Sequence, residues 1–449
     1  MQEKLTERLN SFQPWVRAEA LQLLARTAEF PAQCSDFMNM HAHSFFSYNG
    51  EGWSPSRLAY EFRRMGLYGA ALCDFDVLHG LGEFLCAGDL LGLRTAASFE
   101  CRVFFKEYAD AEINSPGEPG VFYFMGSGFA RVPASGTPEA AVFARLLEQS
   151  HSRNRALIAR INGRLPAAKL DYDRDVLPLT PEGNATERHI VRAYFDAALK
   201  EQGSAEAAAD FWAGCFGADP AELRAIAGNT NKFVEYLRGK LMKKGGLGYV
   251  QPDENTFPPI DEVIGLIRAC RALPCTAWLD GSLPGEANPR QQLECLLGKG
   301  LELVNIIPDR NWNFADPAKR AKKVPALNEY MKTAQELELP IIAGTECNKP
   351  GQRTVDDFAS DALAPHLPAF LKGAQVLVGH TTMLRFADCS YADARSVSLW
   401  PSRSARNDFF ASVGALPVPP PAILARLHQD AAEDNFGYIA DCAKAGRWI

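Results

Sequence analysis

His41 and His43, two residues apart, carry the sharpest chemical signal in the sequence. They end a short apolar run, FMNMHAH, and alternate residues of a strand point to the same side. Both imidazole rings can therefore reach one metal ion, and imidazole is a common ligand of divalent metals. The alternative is a solvent-exposed strand end, because histidines are frequent on protein surfaces.

Carboxylates stand near the ends of other apolar runs. Glu100 follows the apolar segment AASF, where an unpaired carboxylate would be costly to bury, and Glu346 follows IIAGT in the same way. Asp74 and Asp76 end a further run, for which a turn or a helix cap is an equal alternative. Imidazoles and carboxylates together form a donor set for Zn, Mn or Fe.

Seven short apolar runs supply strands that would position these residues. Each run is too short for an independent helix, and its apolar residues are continuous rather than alternating, as in a strand that is buried on both faces. Most runs end on a polar residue. They span residues 37–43, 69–76, 94–101, 121–127, 275–280, 301–310 and 340–348.

Helix start signals lie between the runs, and each pairs a capping residue with a proline, which is favoured at the first position of a helix. Strands that alternate with helices indicate parallel β-α units. We therefore expect a barrel close to the size of eight units, with an open doubly wound sheet as the alternative. In such a barrel, side chains at the carboxyl ends of the strands share one ligand site. The four signals are Ser54-Pro55, Thr137-Pro138, Asn288-Pro289 and Asp316-Pro317.

One interval interrupts this alternation, because residues 165–257 are rich in alanine and show helical patterns without a clear strand. This interruption predicts five segments along the chain. They are an N-terminal helical segment at 1–34, the first half of the barrel at 35–164, a helical insertion at 165–257, the second half of the barrel at 258–385 and a helical C-terminal extension at 386–449.

Composition narrows the function classes. The chain has 449 residues, of which 47% are hydrophobic and 22% are charged, and its formal net charge is −7. This charge argues against nucleic acid as the main partner, since a phosphate backbone requires a basic surface. We find neither an apolar run long enough to span a membrane nor the apolar core of a signal peptide. Eleven scattered cysteines without a CxxC pair indicate a reduced, cytoplasmic protein.

Several segments resemble the PHP family (polymerase and histidinol phosphatase domain), whose members are metal-dependent phosphoesterases on a distorted (β/α)7 TIM-like barrel. MHAHSFFSYNGEGWSPSRL is similar to the first family motif, an HxH followed by a loop and a helix, and ALCDFDVLHGLGEF to the second, TDHDxxxG. ASFEC resembles the strand with the metal-bridging glutamate, and AGTECN the last motif, GxDxH. RNRALIARINGRL, TERHIVRAYFDAALKEQG and GYVQPDENTFPPIDEVIGLIRACRAL resemble the flank and helical insertion of the phosphoesterase branch.

The resemblance covers about Phe37 to Asn348 and implies a ligand set with losses. Phe75 stands where the second motif has a histidine, Asn348 replaces the histidine of the last motif, and the fourth and fifth strands lack theirs. The implied cofactor is a divalent metal (Mn, Mg or Zn), as one or two ions or none, with mainly oxygen ligands that would favour Mg or Mn. The ligand positions are His41, His43, Asp74, Glu100 and Glu346, with Asp76, His79, Asn348 and His380 as further candidates.

The activity that the resemblance implies is metal-assisted hydrolysis of a small phosphorylated compound. Glu100 would fix the ions, and Arg310 would hold phosphate oxygens. Lys322 and Lys323 are weaker candidates, since an exposed helix face explains them better. The expected catalytic residues are Glu100, Asp280 and Arg310, and the expected substrate-binding residues are Arg310, Asn311 and Arg353.

Two other functions stay open. The missing histidines favour a catalytically silent protein that binds a ligand or a partner. The polar segments WLDG, IIPDRNWN and GTECNKPGQ favour an isomerase or lyase on the same barrel, with Asp280, Asp309, Arg310, Asn311 and Asn313 as acid/base and hydrogen-bonding groups. Nothing in the sequence predicts the substrate or the oligomeric state.

Overall fold

Seven strands form one sheet in the computed structural model, which describes residues 2–32 and 34–449. The strands follow each other in the sheet in the order of the chain, so each neighbour in space is also a neighbour in sequence. They are β1 (Met38–Ala42), β2 (Gly69–Phe75), β3 (Arg94–Phe104), β4 (Val121–Ser127), β5 (Leu273–Trp278), β6 (Leu303–Ile306) and β7 (Ile341–Ala343).

The direction of β4 differs from the sequence-based expectation of parallel units throughout. β4 pairs antiparallel with both β3 and β5, whereas the other neighbouring pairs of strands are parallel. A parallel pairing needs a long crossover, usually a helix, but only a turn of 3₁₀ helix at Lys106–Tyr108 lies between β3 and β4. The chain therefore turns back, and the start of β4, rather than its end, lies at the edge where β3 ends.

The sheet curves into a nearly closed barrel, which confirms a distorted TIM-like fold and excludes the open sheet. An isolated parallel bridge joins Ala42 at the end of β1 to Glu346, which follows β7. Glu346 N–H donates to the His41 carbonyl at 2.7 Å, and His43 N–H donates to the Glu346 carbonyl at 2.8 Å. A Cβ on Gly344 would clash with the backbone nitrogen of His41 and lie 2.6 Å from Asn39 Oδ1, so only glycine permits this approach.

The helices outside the segment 143–252 begin largely where the capping signals predict. Ser54 Oγ accepts from Arg57 N–H at the first barrel helix, and Asp316 accepts from Ala318 N–H at another. Among the described residues, no helix is both long and apolar enough to cross a bilayer. The first helices in chain order are α1 (Gln2–Arg8), α2 (Pro14–Thr27), α3 (Pro55–Arg64) and α4 (Leu81–Leu91).

The chain divides into two compact units, and the smaller one is helical. It contains residues 45–48 and 143–252, and the rest of the chain forms the barrel unit. The core of the helical unit surrounds Trp212, which is fully buried beside Tyr194 and Phe216. Its helices are α5 (Pro138–Asn162), which begins just before the unit, α6 (Glu187–Gln202), α7 (Ala205–Phe216), α8 (Pro220–Ala227) and α9 (Thr230–Met242).

The remaining helices belong to the barrel unit. The run 301–310 was expected to be one strand, but β6 ends at Ile306 and Arg310 lies on the short helix α12, because Pro308 interrupts the strand. The helices are α10 (Ile260–Ala269), α11 (Pro289–Lys299), α12 (Asp309–Trp312), α13 (Pro317–Glu336), α14 (Leu367–Phe386), α15 (Ala394–Leu399), α16 (Arg403–Ala415), α17 (Pro421–Gln429) and α18 (Ala432–Ala445).

Glycines allow α14 to approach both the sheet and α16. A Cβ on Gly373 would clash with the backbone of Ile341 in β7. A Cβ on Gly379 would clash with Phe410 in α16, and one on Gly414 of α16 would clash with Gln375. The C-terminal helices therefore pack directly on the strand that carries the closing segment.

We predict that Gly344→Ala lowers the free energy of unfolding by about 1–3 kcal/mol or more, because the added methyl group forces β1 away from the closing segment. Chemical denaturation measures this change. Gly437→Ala is the matched control, since Gly437 is exposed within α18 and nothing lies within 4 Å of its Cβ position. The control should keep or raise the stability, as alanine favours helix; equal losses in both variants would contradict the prediction.

Candidate metal centre

Four buried side chains bring their donor atoms together where the barrel closes. One atom each of His41, His43, Glu100 and Glu346 lies within 4.8 Å of the others. Glu100 Oε2 is 3.7 Å from His41 Nε2 and 3.5 Å from His43 Nε2. These separations are too long for good hydrogen bonds, but they suit two ligands bound to one ion at about 2.1 Å each.

The strand β1 orients the two imidazoles as the HxH spacing predicts. The ring centroids of His41 and His43 are 5.2 Å apart. His41 Nδ1 lies 2.9 Å from Asn305 Oδ1 of β6, and an amide oxygen can only accept. Nδ1 therefore carries the proton, and Nε2 faces Glu100. A second residue that fixes the tautomer in this way is the usual companion of a metal-binding histidine.

Glu346 owes its position to an unusual backbone. It adopts a φ of 66°, and Cys347 follows with a φ of 53°. Non-glycine residues in this left-handed region cost free energy, of the order of 1 kcal/mol each, and persist where the surrounding structure imposes them. The two hydrogen bonds to β1 impose it here, so barrel closure and ligand placement depend on the same residue.

The pKa values of Glu100 and His41 shift in opposite directions. Burial raises the pKa of Glu100, but His41 and His43 outweigh this effect and lower it to about 2. Burial lowers the pKa of His41, but neighbouring Cys73 and Glu100 raise it well above its usual value. These shifts favour a proton on His41 beside the Glu100 carboxylate, and a metal ion would compete with that proton for the imidazole.

The donor set fits a divalent ion. The Nε2 atom of His41 and the Oε2 atom of Glu100 are buried, and within residues 2–32 and 34–449 neither has a hydrogen-bond partner. Buried polar atoms in this state are costly, and an ion between them would satisfy both. Half of the four donors are nitrogen, not mainly oxygen as the sequence suggested, and such a mixed set suits Zn, Mn or Fe.

Phe75 and Cys73 line the cluster from β2. The Phe75 ring stacks on His43 with 4.5 Å between centroids, and the Cys73 thiol lies beside His41. Sequence reasoning treated Cys73 only as a small core residue. The alternation of β2 could have indicated its position, since residues 73 and 75 must share a face.

Tyr123 is a further residue that the sequence did not reveal. In the β3–β4 pairing, Arg102 lies opposite Tyr123 and Glu100 opposite Met125, so all four side chains share the inner face. Tyr123 also lies near the Arg310 guanidinium. The expectation of a parallel β4 hid this residue, because it placed the wrong end of the strand at the site.

Asp74 is not brought into the cluster. It lies between Cys73 and Phe75, so its side chain leaves the opposite face of β2. Its carboxylate accepts from Ser44 N–H at 2.8 Å and from Ser44 Oγ at 2.7 Å. These hydrogen bonds hold the residue that follows His43, and the ligand role of Asp74 stays a prediction.

The other candidate ligands have different surroundings. His380 lies within α14, where Nε2 donates to the Gly128 carbonyl at 3.0 Å and Nδ1 accepts from Tyr391 N–H at 3.1 Å. Both ring nitrogens are used by the backbone, so His380 is a core residue and not a ligand. Asp76 and His79 follow β2 and lie outside the four-residue cluster. Asn348 follows Glu346 by two residues, and its ligand role stays a prediction.

Arg310 lies at the cluster, and its guanidinium forms a salt bridge with Glu346 at 2.8 Å. Its side chain is still 46% exposed. Arg353 lies on the same side, near Asp309 at 3.9 Å and over the Trp312 ring. Both positions are compatible with the predicted role in binding an anionic substrate.

Asp280 and Asn311 are occupied by neighbouring groups. Lys323 Nζ lies 2.6 Å from Asp280. Burial raises the pKa of Asp280, but Lys323 and Ser282 outweigh it and hold the pKa below its usual value. The amide of Asn311 donates to the carbonyls of Ile307 at 2.9 Å and Leu279 at 3.2 Å. Asn311 thus supports the backbone near the site rather than reaching a substrate with its N–H groups.

Asp356 is a buried carboxyl group in the loop after β7. Across the described part of the chain, neither of its oxygens has a hydrogen-bond partner. Burial and the neighbouring charge of Asp309 raise the pKa of Asp356 to about 8, against a smaller opposing effect of Arg353. The side chain is therefore a neutral acid at pH 7, although nothing in the sequence of this loop distinguishes it.

Comparisons with solved structures find distant likenesses. No protein-family model matches the sequence, and no curated protein matches it. A "putative metal-dependent phosphoesterase" from Bifidobacterium adolescentis is 18% identical with a TM-score of 0.44, covering 76% of this chain and 98% of that chain. An amidohydrolase from Chromobacterium violaceum, with bound sulfate and no metal, is 14% identical with a TM-score of 0.46, covering 74% and 96%. Neither supports an inference about function.

We predict that Asn305→Ala weakens the binding of a divalent ion about 10- to 100-fold, because His41 loses the partner that fixes its tautomer. Isothermal titration with Zn²⁺ and Mn²⁺ measures the affinity. Asn328→Ala is the control, since Asn328 bonds to His366 outside the cluster. Wild-type affinity in Asn305→Ala would show that the contact with His41 is dispensable.

We predict that Asp356 makes the protein less stable as the pH rises. Its pKa is about 8 in the fold against an ordinary value of 3.8, so the folded chain holds a proton that the unfolded chain releases. The stabilisation is complete below about pH 4 and is lost as the pH rises to about 8, by up to about 1.4 kcal/mol per pH unit. Denaturation between pH 5 and 8 measures it. Asp356→Asn should flatten the profile, and an unchanged slope would contradict the assignment.

Proposed function

We propose that this chain is a metal-dependent phosphoesterase that hydrolyses a small phosphorylated compound. The observation that carries the proposal is the cluster of His41, His43, Glu100 and Glu346, in which buried donors face each other at ligand-to-ligand distances. The resemblance of the HxH segment to the PHP family supports the same activity. The metal would be held by these four residues.

A bound divalent ion would supply Lewis-acid chemistry at the phosphoryl group and help a water molecule lose its proton. In the reaction, the water oxygen forms a bond to phosphorus, and the ester P–O bond breaks. The leaving oxygen takes up the proton that the water loses. Glu100 and Glu346 would contribute negative charge that holds the ion, and both side chains are buried in the barrel.

Arg310 is the residue best placed to hold the phosphate. Its guanidinium is already at the cluster through Glu346, and nearly half of its side chain is exposed. Guanidinium groups bind phosphate oxygens through two parallel hydrogen bonds. A substrate phosphate would therefore add to, or replace part of, the contact with Glu346. Arg353, on the same side, is a weaker candidate because it lies over Trp312.

A catalytically silent binding protein is the second candidate. The observation that favours it is Phe75, whose apolar ring stacks on His43 where the PHP family has a ligand. The isomerase or lyase reading has less support, since Asp280 is paired with Lys323 and the Asn311 amide is bound to backbone carbonyls. These groups lack the freedom that an acid/base role would require.

We predict that protein loaded with Zn²⁺ or Mn²⁺ releases inorganic phosphate from small phosphomonoesters, and that Glu100→Gln lowers kcat about 100-fold or more. Glutamine keeps the shape of the side chain but removes its charge, so the loss would report the role of the carboxylate. A phosphate-release assay across a panel of monoesters, with metal content measured for each protein, provides the test.

The control for this experiment is His366→Ala. His366 bonds to Asn328 and lies outside the cluster, so the variant should keep its metal content and activity. Tight binding of phosphorylated compounds without turnover would select the silent protein instead. If Glu100→Gln and His41→Ala both keep the wild-type turnover, the proposed site is wrong.

A further inference from the structure

Two aromatic rings, Phe75 and Tyr123, form a wall beside the metal cluster. Their ring centroids are 6.1 Å apart in an edge contact, and the Phe75 ring also stacks on His43. Both come from inner-face positions, one at the end of β2 and one near the start of β4. The pair therefore borders the place where a substrate's reacting group would lie.

The exposure of this pair differs from that of Phe122 and Phe124, the other aromatic residues of β4. Both are fully buried, as expected for core packing. Phe75 and Tyr123 are only partly buried. Covering the part of these rings that is still exposed would contribute about 25 cal/mol for each Å² of apolar surface. A substrate group of matching shape would recover that free energy.

The charged groups near the pair indicate which substrate would fit, because they lie close to the two rings. Arg310 lies near Tyr123, and its guanidinium is bonded to Glu346. The site thus places a cation and the ligand cluster close to two aromatic rings. A compound that fits all three has a planar aromatic group attached directly to a phosphate.

We propose that the Phe75–Tyr123 pair binds an aromatic group of the substrate, so that the substrates of this site are aryl phosphates rather than alkyl phosphates. This inference rests on the proposed phosphoesterase function and adds the substrate class. Aromatic rings prefer edge-to-face or offset contacts with 4.5–7 Å between centroids. Phe75 and Tyr123 already meet at such an angle, and a third ring can join them in the same way.

Binding of non-hydrolysable phosphonates to the zinc-loaded protein tests the inference without requiring turnover. Isothermal titration compares phenylphosphonate, cyclohexylphosphonate and methylphosphonate. We expect phenylphosphonate to bind about tenfold more tightly than methylphosphonate, and more tightly than cyclohexylphosphonate, which has similar size but no aromatic ring. Saturation transfer from the protein to the phenyl protons provides a second readout of ring contact.

Two variants and one control locate the effect. Phe75→Leu and Tyr123→Leu remove a ring while keeping an apolar side chain, and each should reduce the preference for the phenyl compound to about twofold or less. Metal content is measured for each protein, since Phe75 touches His43. Trp15→Leu is the control, because Trp15 is 68% exposed on α2, and the variant should keep the full preference.

The outcomes separate this inference from the proposed function. The inference about the Phe75–Tyr123 pair is wrong if the three phosphonates bind equally, or if both variants keep the preference for the phenyl compound. This holds even if phosphate esters are hydrolysed. A phenyl preference that depends on both rings supports the wall, even if no ester is hydrolysed and the phosphoesterase function fails. If no phosphonate binds to the metal-loaded protein, both proposals are wrong.

Discussion

The closure of the barrel between β1 and the segment after β7 is the contact on which the rest of the site depends. Two backbone hydrogen bonds join Glu346 to His41 and His43, and they leave Glu346 in a left-handed conformation. Gly344 is required for this approach, because any side chain there would meet β1. The same bonds that complete the sheet therefore bring a carboxylate from the end of the barrel to the histidines at its start.

The charges of the closed site suggest how it would change when an ion binds. Glu100 and Glu346 contribute two negative charges and Arg310 one positive charge, so a single positive charge is missing. The raised pKa of His41 favours a proton on that imidazole, which would supply this charge. A divalent ion that displaced the proton would leave the group with one net positive charge. Such a site attracts a phosphate anion only after the ion is present.

The barrel was predictable from the sequence because its signals are local. Continuous apolar runs and proline-preceded caps such as Ser54-Pro55 depend on neighbouring residues only, and the structure confirms the strands and helices that they indicate. His41, His43, Glu100 and Glu346 followed from residue type and position at run ends. The antiparallel β4 did not, since strand direction depends on pairing between distant segments. Tyr123 was missed for that reason. His380 was predicted as a candidate ligand because its contacts with Gly128 and Tyr391 cannot be inferred from the sequence.

The inner face of β2 bears on how many ions the site can hold. Its last position carries Phe75, and the ring covers one side of His43 instead of offering a donor. Tyr123 borders the same region, so the β2 and β4 side of the cluster is aromatic. The donors and Arg310 come from β1, β3 and the segments after β6 and β7. An ion held by the four donors would therefore meet aromatic rings on this side, together with the Cys73 thiol beside His41.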